Sequence, residues 1–246
     1  MIEPYYRDEA VTLYHGDSLG ESGLGTLPDL SVDVAIVDPP YSAHVHAKSV
    51  RGGYNVKRAR ELGFESLQPE SRALWSFHLA RLVKRWVLVF CDVEGAHEWI
   101  ANLQGAGLEY IRTGFWHKLG ATPQVTGDRP GSHAEAIVIA HRPGRKRWNG
   151  GGLGNVWSYP TAHRAGETVV NETQKPEGLI AELVEKFSDP DELVLDFCAG
   201  SGTLPRKAKD AGRRAICWEV REEQCRFIAA RMAQTVFNFG EQGSLI

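Results

Sequence analysis

The sequence predicts an α/β fold, in which a mostly parallel sheet carries helices on both faces. Val34-Ala35-Ile36-Val37 is a run of small and β-branched apolar residues, typical of a strand buried on both faces of a sheet. Leu193 to Asp196 indicates a second buried strand, followed by a glycine-rich turn, a helix over Leu204 to Ala211 and a third strand over Ala215 to Trp218. Strands that alternate with helices in this way are typical of parallel sheets.

The strand over Val34 to Val37 runs into Asp38-Pro39-Pro40-Tyr41. Open α/β sheets bind ligands beyond the carboxyl ends of their strands, which is the position of Asp38. The two prolines remove two N–H donors and leave carbonyl oxygens and the Asp38 carboxylate as acceptors beside the Tyr41 ring. Rigid acceptors next to a ring would suit a flipped-out nucleobase that carries an amino group. Taken alone, this motif fits a strand that ends in a surface turn equally well.

The glycine-rich turn runs from Asp196 to Thr203. Gly200 and Gly202 allow a ligand to approach the backbone closely, because glycine has no Cβ. Glu219 ends the third strand, where an acid can hold the hydroxyls of a ribose. Together these features predict a nucleoside cofactor. A nicotinamide dinucleotide is an alternative, but the glycine pattern is not GxGxxG and the Asp38 motif would then have no role.

Three motifs together resemble the S-adenosylmethionine-dependent amino-methyltransferases of DNA, which methylate adenine N6 or cytosine N4. They are Asp38-Pro39-Pro40-Tyr41, Gln174-Lys175-Pro176 and the turn from Asp196 to Thr203. Their order resembles the circularly permuted class, and the likeness runs from about Val11 to Met232. The resemblance implies a Rossmann-like methyltransferase fold in one domain over residues 1–246, with a mixed, mostly parallel seven-stranded sheet. It also implies S-adenosylmethionine as the cofactor and DNA as the partner.

In that family the tetrapeptide is catalytic, so the resemblance gives this role to Asp38, Pro39, Pro40 and Tyr41. The Asp38 carboxylate and the Pro39 carbonyl would hold the hydrogens of the target amine, and Tyr41 would stack on the extruded base. An aspartate in the first position favours adenine N6. Cytosine N4, RNA and a protein amide are alternative targets, and a catalytically inactive DNA-binding module is an alternative function.

The resemblance also marks residues that would bind the cofactor: Asp17, Lys175, Asp196, Phe197, Cys198, Gly200, Ser201, Gly202, Thr203 and Glu219. Asp17 follows a predicted strand over Val11 to Tyr14 and could equally be a simple turn residue. Two departures affect this set. Relatives usually read Asp-Pro-Phe where this chain has Asp196-Phe197-Cys198, and His-Pro-Thr-Gln-Lys-Pro where it has Val170-Asn171-Glu172-Thr173-Gln174-Lys175.

Two basic stretches are expected to contact DNA phosphates, within loops at about 42–70 and 117–166. Their candidate residues are Lys48, Arg51, Lys57 and Arg58 in the first and Arg145, Lys146 and Arg147 in the second. A solvated surface loop is the alternative for each. Aromatic residues near the second stretch would suit base stacking, although Trp157 also fits a strand in the core.

Two further patterns bear on the sheet and its helices. Leu74 to Val83 fits an amphipathic helix with Leu74, Phe77 and Val83 as its apolar residues. Tyr110 to Trp116 and Ala136 to Ala140 fit two strands, which would be antiparallel if the family sheet is kept.

The composition of the chain limits how it can bind DNA and which kinds of site and location are expected. The 246 residues carry a net charge of −3, so any contact with DNA must use local patches. The 4 cysteines form no CxxC pair, which indicates reduced thiols, and we expect no metal site. The sequence lacks a run of about 18 apolar residues and a signal peptide, so we expect a soluble, cytoplasmic protein. Members of the resembled family are often homodimers, but no motif here requires it.

Overall fold

The computed structural model describes residues 3–40, 68–121, 123–124, 126–163, 165–169 and 173–234. Its strands are β1 (Tyr6–Arg7), β2 (Val11–His15), β3 (Val34–Val37), β4 (Trp86–Cys91), β5 (Glu109–Leu119), β6 (Ala134–His141), β7 (Val156–Pro160), β8 (Leu193–Asp196) and β9 (Arg214–Glu219). The α-helices of this part of the chain are α1 (Pro69–Leu82), α2 (Ala96–Gly105), α3 (Glu177–Phe187), α4 (Thr203–Asp210) and α5 (Glu222–Ala233).

All these strands form one sheet in the order β1-β2-β9-β8-β3-β4-β6-β5-β7. The prediction of a mixed, mostly parallel sheet is confirmed, because five of the pairings are parallel and three are antiparallel. The predicted number of strands is wrong, since the described residues alone form a sheet of 9 strands and not seven. A two-residue strand such as β1 is too short to show an alternating pattern, and β7 follows a glycine-rich stretch that hides its start.

The direction of the strands gives the sheet two distinct edges. β2, β9, β8, β3 and β4 run parallel, so their carboxyl ends meet at one edge, here called the carboxyl edge. β6 runs antiparallel to β4, with Cys91 paired to Ala136 and Trp86 paired to His141. β6 therefore begins at the carboxyl edge, and the segment after His141 begins at the opposite, amino edge.

Helices cover both faces of the sheet, as the sequence predicts. Alternate residues of β3 explain why, since Val34 and Ile36 face one core while Ala35 and Val37 face the other. Helices α3, α4 and α5 supply apolar side chains to the first core, and α1 and α2 supply them to the second. In the described part of the chain, no helix has the length and hydropathy needed to cross a membrane.

The helix predicted over Leu74 to Val83 is present, but it begins at Pro69 and buries a different face. Leu74 and Phe77 are 50% and 57% exposed, whereas Trp75, Leu79 and Leu82 are buried. Two apolar stripes overlap in this segment. The stripe at i, i+4 and i+7, formed by Trp75, Leu79 and Leu82, packs against the sheet.

The predicted DNA-contacting loops also need correction. Within 117–166 lie the end of β5, all of β6 and all of β7. The predicted strands over Tyr110 to Trp116 and Ala136 to Ala140 are confirmed as an antiparallel pair, and both are longer than predicted. In the 42–70 stretch, residues up to 67 lie outside the described residues, and α1 begins at Pro69.

Candidate active site

Four acidic side chains lie together at the carboxyl edge. Asp17 follows β2, Glu219 ends β9, Asp196 ends β8 and Asp38 follows β3, and these four strands are neighbours in the sheet. All four acids line one cavity of about 650 Å³. This volume is within the range of sites that enclose a small molecule.

The cavity brings together most of the residues that the sequence marks as catalytic or cofactor-binding. Those on its wall are Asp17, Asp38, Pro39, Pro40, Lys175, Asp196, Phe197, Cys198, Gly200, Ser201, Thr203 and Glu219. Tyr41 lies outside the described residues. Gly202 precedes α4 in a left-handed conformation (φ +72°) and is not on the cavity wall, and a Cβ there would lie 2.9 Å from Ile228. The turn and its packing against α5 both require glycine at position 202.

Glu219 connects the end of β9 to the glycine-rich turn from Asp196 to Thr203, here called the cofactor turn. Its Oε2 accepts a hydrogen bond of 2.8 Å from the Gly200 N–H, and its Oε1 accepts one of 2.9 Å from the Arg221 N–H. The side chain is only 6% exposed. Because each carboxylate oxygen can accept more than one hydrogen bond, Glu219 can still receive hydroxyl groups from a ligand in the cavity.

Asp196 is a buried acid at the base of the same turn. Burial is the main cause that raises its pKa to about 7, against a hydrogen bond of 3.0 Å from the Cys198 N–H that favours the carboxylate. Burial also raises the pKa of the Cys198 thiol, which keeps it in the neutral form. Asp196 is thus poised to ionise when a positively charged ligand enters the cavity.

An aromatic pair borders the cavity where the sequence departs from the family pattern. Phe197 stacks on Trp75 of α1, with ring centroids 5.0 Å apart and an interplanar angle of 15°. Both rings line the cavity, so the ring that the family places one residue later is still present. Trp75 also donates a hydrogen bond of 3.0 Å to Ser18. Trp75 was not predicted as a site residue, because the side of α1 that faces the sheet is not evident from the sequence.

Lys175 contacts the proposed catalytic carboxylate directly. Its Nζ lies 2.5 Å from Asp38 Oδ2, and its side chain is only 5% exposed. The same ammonium lies 5.2 Å from the centre of the Phe90 ring, a favourable cation–π distance. Burial raises the pKa of Asp38, and the charge of Lys175 opposes that rise. Lys175 lines the predicted cofactor cavity, but the ion pair that it forms is with Asp38.

Two residues of neighbouring strands extend this ion pair, and neither was predicted as part of the catalytic site. Glu135 of β6 lies 3.3 Å from Lys175 through Oε2 and 2.5 Å from Lys118 of β5 through Oε1. The Glu135 side chain is 11% exposed. Lys118 lies at the start of the predicted DNA-contacting loop at 117–166, and the sequence gives it no place in the catalytic site. Neither contact could be read from the sequence, because each depends on how β4, β5 and β6 pair.

The second basic stretch lies away from this cavity. Lys146 pairs with Glu109, the first residue of β5, at 2.5 Å, and Arg147 pairs with Asp189, which precedes β8, at 3.2 Å. The indole N–H of Trp86, the first residue of β4, donates to the Arg147 carbonyl. These contacts place Arg145, Lys146 and Arg147 at the amino edge, roughly 17 Å along the strands from Asp38. Lys48, Arg51, Lys57 and Arg58 lie outside the described residues.

The charge of the cavity suits a cationic ligand with a nucleoside part. Its described wall carries four acids, Asp17, Asp38, Asp196 and Glu219, against two cations, Lys175 and Arg221. The sulfonium of S-adenosylmethionine is positive, its ribose offers hydroxyls to Glu219, and its adenine can pack beside aromatic rings. The residues therefore fit this cofactor. Within the described residues, no group of three or more His, Cys, Asp or Glu side chains could hold a metal ion.

Comparisons with known proteins agree with this site. Residues 32–231 match the family model of the N6/N4 methyltransferases, described as DNA methylase. The chain is 25% identical to the DNA adenine methyltransferase YhdJ of Escherichia coli (strain K12), over 89% of this chain and 81% of that protein.

Solved structures show the same fold. The M1.HpyAVI–SAM complex matches with a TM-score of 0.67 and 19% identity, over 91% of this chain and 100% of that chain. The cytosine-N4-specific PvuII DNA methyltransferase matches with a TM-score of 0.71 and 16% identity, over 94% of this chain and 89% of that chain. The family match covers most of the chain and includes Asp38, Lys175 and the cofactor turn. The chain is therefore a member of the S-adenosylmethionine-dependent DNA methylases that modify amino groups of bases.

Proposed function

We propose that this protein transfers a methyl group from S-adenosylmethionine to N6 of adenine in DNA. One observation carries the proposal: Asp38 and Pro39 lie on the wall of the cavity that also contains the cofactor turn. A carboxylate and a backbone carbonyl beside the methyl donor are the acceptors that an exocyclic amine requires. The aspartate in the first motif position and the similarity to an adenine methyltransferase support adenine as the base.

The chain's own residues position the amine and handle its protons. When bound, S-adenosylmethionine supplies an electrophilic methyl group on a positive sulfur. The amine of adenine is a poor nucleophile because its lone pair is delocalised into the ring. Asp38 and the Pro39 carbonyl would accept its two hydrogens and favour a pyramidal nitrogen, and Tyr41 would stack on the extruded base. Since Lys175 takes Asp38 Oδ2, we assign Oδ1 to the amine.

Cytosine N4 is the second candidate target. It presents the same amine chemistry to Asp38, and the PvuII enzyme of similar fold is specific for cytosine N4. Adenine is larger, and its extrusion would fill more of the space beside Pro39 and Pro40. The two targets leave different products, so one experiment separates them.

DNA contacts at the carboxyl edge are part of this proposal. Lys48, Arg51, Lys57 and Arg58 follow the Asp38 motif in the sequence and remain the proposed phosphate contacts. β5 and β7 also end at this edge, so the described residues that directly follow them, 120–121 and 161–163, are further candidates for DNA contact. The pairing of Lys146 and Arg147 at the amino edge argues against a role for them in the same contact.

The nucleoside that gains the methyl group tests the proposal. The purified protein is incubated with isotope-labelled S-adenosylmethionine and DNA of mixed sequence, and the digested nucleosides are separated by mass spectrometry. We expect labelled N6-methyladenine. Labelled N4-methylcytosine would overturn the choice of base, and a label found only in RNA offered in parallel would overturn the choice of DNA.

A further inference from the structure

We propose that Glu135 is a positioning residue for methyl transfer, which shares the Lys175 ammonium with Asp38 and is itself held by Lys118. The inference rests on the proposed role of Asp38. Its basis is a continuous chain of four side chains with alternating charge, which starts at the cavity. In order, they are Asp38, Lys175, Glu135 on β6 and Lys118 on β5. No step of the proposed chemistry yet uses Glu135 or Lys118.

The two middle members of this chain, Lys175 and Glu135, are largely buried. Lys175 lies between two carboxylates, 2.5 Å from Asp38 and 3.3 Å from Glu135. Lys118 lies 2.5 Å from the other oxygen of Glu135 and 5.1 Å from the centre of the Trp116 ring. A buried carboxylate without such partners would be costly, so the two lysines stabilise Glu135 in its charged form.

Because the Lys175 ammonium is shared between two carboxylates, Asp38 is a stronger base than it would be in a simple ion pair. A Lys175 bound by Asp38 alone would neutralise that carboxylate strongly and make it a weak base. Glu135 draws part of the positive charge away, and its own negative charge raises the pKa of Asp38. The amine that gains a methyl group must lose one proton, and a stronger base at Asp38 Oδ1 is better able to accept that proton.

Other groups around Asp38 also bear on its protonation, and all of them except Lys118 are the same in every variant considered. Among the described residues, Lys118 favours the carboxylate from β5. Asp196, at the end of β8, is close enough for its own pKa to be raised by Asp38. The thiols of Cys91 and Cys198 also face Asp38, and burial raises the pKa of each, so both are neutral.

The test measures single-turnover methylation against pH, because this rate reports the chemical step. Glu135→Gln keeps the shape of the side chain but removes its charge. We expect the acidic limb of the profile to move to lower pH by about one unit, and the plateau rate to fall several-fold. Lys175→Met should move the same limb to higher pH, while the affinity for S-adenosylmethionine changes less than the rate.

Lys118→Met provides a second variant that disturbs the fold less, since this side chain is 20% exposed. It should move the acidic limb to higher pH, by less than Lys175→Met does. Glu109→Gln is the matched control, because Glu109 forms a similar 2.5 Å pair with Lys146 at the amino edge. That control should leave the profile unchanged.

The outcomes distinguish this inference from the proposed function. If Asp38→Asn abolishes transfer but Glu135→Gln keeps the wild-type limb or moves it upward, the positioning role of Glu135 is wrong. If Asp38→Asn itself keeps most of the activity, the proposed function of Asp38 is wrong. Opposite shifts for Glu135→Gln and Lys175→Met would support the inference, since a purely structural role does not produce opposite signs.

Discussion

Asp196 shows what it costs the folded chain to keep an acid in the cofactor cavity. Its pKa is about 7 when folded and would be near 3.8 in an unfolded chain. The folded state therefore holds its proton more tightly, and stability from this residue decreases as pH rises from about 4 to 7. Above about pH 7 the penalty is constant. A cationic cofactor would offset it, because it favours the ionised carboxylate.

Replacing Asp196 tests this trade-off. Asp196→Asn keeps an oxygen for the Cys198 N–H and removes the buried charge. We expect the cofactor-free variant to be more stable than wild type at pH 8, by roughly 1–3 kcal/mol. The gain should grow between about pH 4 and 7 and then level off. Thermal melts across pH measure it, and calorimetry should show weaker binding of S-adenosylmethionine.

An exposed aspartate provides the control for this experiment. Asp29 pairs with Arg81 at the surface, and its side chain is 73% exposed. Asp29→Asn should change the melting temperature little and leave cofactor binding unchanged. If Asp196→Asn is instead less stable than wild type at pH 8, the buried carboxylate of Asp196 does not destabilise the folded protein.

At the scale of one element, the cofactor turn depends on a glycine that does not touch the cavity. Gly202→Ala should reduce stability by about 1–3 kcal/mol, because it combines a left-handed backbone with a 2.9 Å contact to Ile228. Denaturant unfolding measures this loss. Because the turn also carries Gly200 and Ser201, we expect a moderate loss of cofactor affinity as well.

Gly212 is the matched control for this substitution. It has nearly the same conformation, with φ +70°, but a Cβ there would have nothing within 4 Å. Gly212→Ala should therefore show only the backbone cost of about 1 kcal/mol. Equal losses for the two variants would mean that packing against α5 contributes nothing at Gly202.

The basic stretch before β7 is the second element that can be tested. Neutralising Arg145, Lys146 and Arg147 together should leave DNA affinity and its salt dependence close to wild type, because these residues lie at the amino edge. Neutralising Arg51, Lys57 and Arg58 is the comparison, and this change should weaken binding to all sequences alike. Fluorescence anisotropy at several salt concentrations measures both. Loss of affinity only in the first variant would place DNA at the amino edge.

Across the whole molecule, the sequence predicts best what depends on strand ends. Asp38, Asp196 and Glu219 each end a recognisable strand, and parallel strands bring such ends to one edge. Apart from the antiparallel pair β5 and β6, contacts that depend on strand direction and pairing were not predicted. The Lys175–Glu135 contact and the location of Arg145 to Arg147 both follow from β6 running against β4. The edge strand β1 was missed because two residues carry too little pattern.

The interval between Trp86 and Gln174 bears on how the protein recognises DNA. Strands β4 to β7 and helix α2 take up much of its described part, which leaves little room there for an inserted recognition domain. Recognition should then depend on segments at the carboxyl edge, which contact phosphates more readily than base edges. We expect a short or relaxed target sequence.

Asp38→Asn tests the central claim most directly, since Asn fills the same space without the charge. The measurement is the single-turnover rate of labelled methyl transfer to DNA, together with the calorimetric affinity for S-adenosylmethionine. We expect the rate to fall by about 10²-fold or more while the affinity changes by less than about threefold. A variant that keeps more than about a tenth of the wild-type rate would contradict the claim that this carboxylate acts on the target amine.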